Sequence, residues 1–234
     1  MQFARFVLFV ATAASAAAQS PTASPASPSP MPAQSVPAQQ VWQMQESGTT
    51  ASLRGIDSVD GKIAWASGSG GTVLRTIDGG AHWQTCTIPD ADKDGATLDF
   101  RGIQAWDAQI AIVMASGPGD KSRLYKTKDG CKTWTLLVKN EDKDGFWDAL
   151  KLWTPTDGFL AGDPVEGHPF LTEFTSYNGL MIDNTLYDLR SQAGEGAFAA
   201  SNSSIAIAPF RTQDGAAREV WFATGGVSGS RVIH

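Results

Sequence analysis

From about residue 50 onward the chain is written in short apolar runs, each broken by Gly, Asp or Pro. Leu53-Arg54-Gly55-Ile56, Ile63-Ala64-Trp65-Ala66 and Val73-Leu74-Arg75-Thr76 are of strand length, and none extends into a helical period. The run Thr76-Ile77-Asp78-Gly79-Gly80-Ala81-His82-Trp83 then carries the residues of a tight hairpin. Gly79-Gly80 allows the positive φ that such a turn needs, Asp78 can accept main-chain N–H bonds across it, and Trp83 can fold beneath it.

The same pattern returns. Phe100-Arg101-Gly102-Ile103 repeats Leu53 to Ile56 after 47 residues, and Leu124-Tyr125-Lys126-Thr127 repeats Val73 to Thr76. Thr127-Lys128-Asp129-Gly130-Cys131-Lys132-Thr133-Trp134 repeats the hairpin after 51 residues, with Asp129, Gly130 and Trp134 in the places of Asp78, Gly79 and Trp83. A third unit begins at Phe146 to Trp153 and continues through Asp157 to Gly162 and Phe170 to Phe174; it lacks the Asp-Gly-Gly turn, and Leu180 to Leu189 is its candidate fourth strand. A fourth starts at Ala197 to Ser204 and runs through Val220 to Gly226 to Ser230-Arg231-Val232-Ile233-His234. Four short strands per period of about 50 residues is the spacing of a propeller blade. The expected fold is all-β: a β-propeller of four-stranded antiparallel blades, with about four blades present. Either the chain is part of a longer propeller, or a strand around Val41-Trp42-Gln43-Met44 closes the last blade.

The two turn sequences resemble the Asp-box, or BNR, repeat, and their spacing is most similar to the photosystem II assembly/stability-factor-like propellers and their bacterial WD/YVTN/BNR-like relatives. That resemblance implies a structural part for Asp78 and Asp129 and a binding or assembly role. It is weak evidence for chemistry, since sialidases and sortilin-type receptors carry the same turn. The "oxidoreductase" label borne by some similar chains has no cofactor fingerprint behind it here.

Ahead of the repeats, Arg5, the apolar run Phe6 to Ala14 and Ala16-Ala17-Ala18 read as an export signal over residues 1–18, too short to span a bilayer. Residues 19–40 hold six of the 12 prolines among Ser, Ala and Gln, and read as an extended linker. Residues 41–234 are then the propeller, and the expected location is secreted or periplasmic. Net charge is -6 with no basic cluster, which argues against nucleic acid. Cys86 and Cys131 are the only cysteines; in an exported protein they form a disulfide that staples two blades or remain buried thiols.

Arg54 and Arg101 hold equivalent places on the expected inner strands, where they can take a carboxylate or a partner's acidic loop, with Asp148 and Asp163 nearby candidates. Structural pairing with Asp57, Asp99 or Asp148 is the alternative. A sialidase-like glycoside hydrolase would need a third aligned arginine, and no Arg-Ile-Pro occurs. No pair among Asp148, Asp163, Glu166 and Glu195 is singled out by spacing as an acid and base, so no catalytic residue is assigned. Asp90-x-Asp92-x-Asp94-Gly95 and Asn140-x-Asp142-x-Asp144-Gly145 resemble the start of a calcium loop, but the twelfth positions are Arg101 and Lys151 rather than Glu, so a solvated acidic turn is expected and no metal or cofactor is assigned. Asn202-Ser203-Ser204 has the letters of a glycosylation site. The function these features support is an exported, monomeric, non-catalytic module that binds an envelope protein or peptide.

Overall fold

The computed structural model describes residues 42–175, 181–183, 189–199, 202–208 and 219–234. The export signal, the linker and most of the candidate strand Leu180 to Leu189 lie outside these residues. Residues 43–234 form one compact unit.

Four antiparallel sheets follow one another along the chain. Blade one is β1 (Leu53–Ser58), β2 (Ala64–Gly68), β3 (Val73–Thr76) and β4 (Gln84–Thr85). Blade two is β5 (Phe100–Ala105), β6 (Ala111–Ala115), β7 (Arg123–Thr127) and β8 (Thr135–Lys139). Blade three is β9 (Trp147–Thr154), β10 (Asp157–Val165), β11 (His168–Thr175) and β12 (Met181–Asp183). Each of these is an up-and-down meander in sequence order. The fold is a β-propeller of four-stranded antiparallel blades.

Blade four begins near the expected place, but its inner strand is split into β13 (Glu195–Gly196) and β14 (Ile205–Ile207), which pair with the same strand, β15 (Val220–Gly226), and β16 (Arg231–Ile233) completes the sheet. The residues between the two halves include Asn202, which has φ 62° and is buried. Its Oδ1 accepts the Leu150 N–H at 2.9 Å and its Nδ2 donates to the Ile103 carbonyl at 3.4 Å, joining the inner strands of blades two and three. A residue in the left-handed region cannot continue a strand, and Asn is among the few that adopt it cheaply. Of the candidate closing strand Val41 to Met44, the described residues 42–44 form no strand, and Trp42 is fully exposed.

Adjacent blades bury apolar side chains between them. Trp65 and Val73 of blade one meet Phe100, Ile103, Val113 and Tyr125 of blade two. Ile112, Met114 and Leu124 meet Trp147, Leu150, Leu160 and Phe174. Phe159 and Leu171 meet Ile205, Val220 and Phe222. Burying a side chain of this size contributes roughly 1.5–3 kcal/mol each. The period-2 alternation of each blade sends successive residues to opposite neighbours, so blade two has two apolar faces rather than one.

Polar side chains repeat this coupling at the inner strands. Asp57 Oδ2 accepts the Ala105 N–H at 2.7 Å. Gln104, 47 positions on, accepts the Leu152 N–H at 2.9 Å and donates to the Leu152 carbonyl at 2.7 Å. The inner strands of blades two and three are thus each held by a side chain of the blade before it. Such bonds give main-chain groups at a sheet edge the partners they would otherwise lack.

Candidate functional site

The inner strands bring Arg54 and Arg101 together on one carboxylate. Arg54 Nε lies 2.8 Å from Asp99 Oδ1, and Arg101 Nε lies 2.9 Å from Asp99 Oδ2. Asp99 precedes β5 and Arg101 is within it, so one short segment supplies the acid and one base while β1 supplies the other. Each guanidinium uses only Nε here. The two side chains are 41% and 31% exposed, and among the described residues their terminal amino groups have no hydrogen-bonded partner. Structural pairing and an open donor face coexist.

Asp148 and Asp163 stand on blade three, on β9 and β10. Asp163 sits at an irregularity of the β10–β11 register, and its Oδ1 accepts the Ala197 N–H at 3.0 Å. Asp148 is 3% exposed, and its Oδ2 has no hydrogen-bonding partner. Burial pushes the Asp148 carboxyl up, the Asp163 charge adds to this and Arg101 pulls back, for a result of about 7. Arg101 and Asp163 thus both act on Asp148, whose carboxyl titrates near neutrality.

The Asp-Gly turns have little left to offer a ligand. Asp78 Oδ1 accepts the Thr76 hydroxyl at 2.8 Å and the His82 N–H at 3.0 Å. Asp129 Oδ1 accepts the Thr127 hydroxyl at 2.9 Å and the Thr133 N–H at 3.0 Å, and its Oδ2 accepts the Thr133 hydroxyl at 2.6 Å. These bonds hold both carboxyls down near 2, the His82 N–H acting first on Asp78 and the Thr133 hydroxyl first on Asp129. Gly79, Gly80 and Gly130 take φ of 76°, 87° and 69°. Trp83 and Trp134 are half-buried. Trp134 Nε1 donates to the Thr87 carbonyl at 2.9 Å, while Trp83 Nε1 donates to the Gln45 side chain at 3.1 Å. Gln45, ahead of β1, thus takes the part that the preceding blade's chain takes for Trp134.

Cys131 stands where the first turn has Gly80, and it forms a disulfide with Cys86 just beyond β4, with Cα atoms 5.3 Å apart. The bridge joins blades one and two.

The acidic loop at 90–94 is drawn onto blade two by basic groups. Arg123, 8% exposed, lies 2.7 Å from Asp94 Oδ1; Lys121 pairs with the same carboxylate, and the Tyr125 hydroxyl donates to Asp90 Oδ2 at 2.8 Å. Arg123, then Lys121, holds the Asp94 carboxyl well below the usual range. In the second loop Asn140 and Asp142 accept main-chain N–H bonds of their own turn, at 3.0 and 2.9 Å. The Asn202 sequence with the letters of a glycosylation site has its amide buried in the blade contacts. Sequence reasoning missed that role, because the pairing partners lie 52 and 99 positions away.

No protein-family model and no curated protein matches the chain. Among solved structures, YCF48 bound to D1 peptide is 17% identical with a TM-score of 0.45, covering 77% of this chain and 56% of its own. An ancestral GH74 enzyme is 8% identical with a TM-score of 0.43, covering 77% of this chain and 25% of its own. YCF48 from Cyanidioschyzon merolae is 16% identical with a TM-score of 0.34, covering 80% and 69%. The chain thus spans about half the length of the first and a quarter of the second. The fold assignment rests on the four sheets themselves.

Proposed function

We propose that this chain is a non-catalytic binding or assembly module, secreted or periplasmic, that acts as a monomer on an envelope protein or peptide. In this reading residues 1–18 are the export signal, residues 19–40 a spacer and residues 41–234 the propeller. The disulfide between Cys86 and Cys131 suits an oxidising compartment.

The observation that carries the reading is the pair of guanidiniums fixed by Asp99 through Nε alone. A carboxylate that holds both arginines in place orders their planar forks in advance and leaves their terminal donors for an incoming acid. Asp163 on β10 of blade three adds an acceptor for a basic group of the same partner, with Asp148 buried on the inner strand β9 of that blade. The aspartates of the turns, by contrast, are fully engaged within their own hairpins.

The test is a pull-down from envelope extract with purified protein, followed by titration of the captured partner against Arg54→Ala plus Arg101→Ala. Saturable binding weakened at least about tenfold in the double variant is expected. Unchanged binding by a folded double variant removes the site, and turnover of a fluorogenic sialoside by the wild type removes the non-catalytic reading.

A further inference from the structure

The first two of the grooves between successive blades differ at equivalent positions. In the groove between blades one and two, Arg75 donates from Nη1 to the Ala108 carbonyl at 2.5 Å and from Nη2 to Gln84 Oε1 at 2.6 Å, and its guanidinium carbon lies 5.6 Å from the Trp65 ring centre. The guanidinium also packs against Gly130 of the next turn, so a long side chain fills the space. In the groove between blades two and three, Lys126 takes the place of Arg75 and donates from Nζ to the Pro155 carbonyl at 2.6 Å. Thr135 takes the place of Gln84, and Ile112 that of Trp65. Every replacement is smaller. A cavity of about 540 Å³ results, lined by Lys126, Lys128, Asp129, Thr133, Thr135 and Thr156 among others.

The charges in this cavity are unequal in what they can still bind. The Asp129 carboxylate is taken up by its own turn, and the Thr133 hydroxyl with it. The Thr156 hydroxyl donates to Asp157 Oδ2 at 2.8 Å. Lys126 has used one of its three N–H groups, and Lys128 is exposed and has no hydrogen bond or ion pair among the described residues. Lys126 is 8% exposed; burial, then the charge of Lys128, lowers its basicity. Two ammonium groups therefore share a recess where the one carboxylate is already engaged, leaving a net positive charge and unspent donors.

We infer that the groove between blades two and three is a binding site for a carboxylate, held by Lys126 from the wall and Lys128 from the rim. The ligand is either a small dicarboxylate or the side chain of an acidic peptide. The site is independent of the arginine pair on the inner strands, so the double variant Arg54→Ala plus Arg101→Ala should retain it.

The experiment is isothermal titration of the full chain with malonate and, separately, with a capped triglutamate peptide, at low and high salt. Saturable binding of at least one is expected, weakened about fivefold or more by Lys128→Ala, an exposed position whose loss leaves the fold intact, and restored by Lys128→Arg. Tighter binding of malonate identifies a small acid, and tighter binding of the peptide a protein segment. On the alkaline side of neutrality, titration in buffers of different ionisation enthalpy should reveal proton uptake on binding, because a bound carboxylate stabilises the charged form of Lys126, whose basicity is lowered in the free protein; Lys126→Met should reduce the uptake. No saturation with either probe, or a Lys128→Ala variant that binds both as the wild type does, overturns the inference.

Discussion

Replacing Asp148 with Asn should make the protein more stable at neutral and alkaline pH and not in acid. Asp148 is 3% exposed, has an unpartnered Oδ2, and has its carboxyl raised from 3.8 to about 7. Such a rise corresponds to about 4 kcal/mol of differential stability. In the unfolded chain the group releases its proton near pH 4, in the folded chain only near 7. Its contribution is therefore undiminished below pH 4, is lost progressively as pH rises to 7, and stays lost above that. Asn cannot ionise, and it leaves an unpartnered amide in the same place, a cost of about 1–3 kcal/mol at every pH. The difference in unfolding free energy, variant minus wild type, should start slightly negative at pH 4, climb by about 4 kcal/mol across the window, and end positive above pH 7. Urea unfolding followed by tryptophan fluorescence from pH 4 to pH 9 measures this directly. Parallel stability curves for the two proteins would refute the reasoning, because they would mean that Asp148 ionises in the folded chain as freely as in the unfolded one.

Reduction, or Cys86→Ser plus Cys131→Ser, should lower stability by about 4 kcal/mol from the closed loop of 45 residues, read as a shift in the urea midpoint with and without reductant. Gln104→Ala strips the Leu152 main chain of two partners and should cost about 2–4 kcal/mol, measured the same way, with a smaller loss for Asp57→Ala, which frees only the Ala105 N–H. Arg123→Met leaves the partly exposed Asp94 carboxylate with Lys121 alone and should cost about 1–3 kcal/mol at pH 7; the penalty should shrink as pH falls toward the depressed titration of Asp94, where the wild type loses the same interaction.

The hairpin turns were legible in the sequence because their whole mechanism is local: Thr76, Asp78, Gly79 and Gly80 bond among themselves and with the next few residues. The inner strands of the first three blades were legible for a similar reason, since Gly, Asp and Pro mark their ends. The fourth unit was placed near Ala197 to Ser204, but the split of its inner strand was not legible, because a run of small residues carries no sign that its main chain will leave the sheet. What decides that stretch is Asn202, and its reasons lie in Ile103 and Leu150. Arg54 and Arg101 could be matched by repeat position, yet their shared hold on Asp99 could only be one option among three acids. The charge state of Asp148 depends on depth and on Asp163, neither of which is written near it.

The bridge between the first two blades also governs how the protein yields to force. Pulled from its two ends, a chain crosslinked over 45 positions can release slack only outside that interval until the sulfurs part. About 150 Å of contour length stays locked, and a reductant in the chamber should return it as one additional lengthening step.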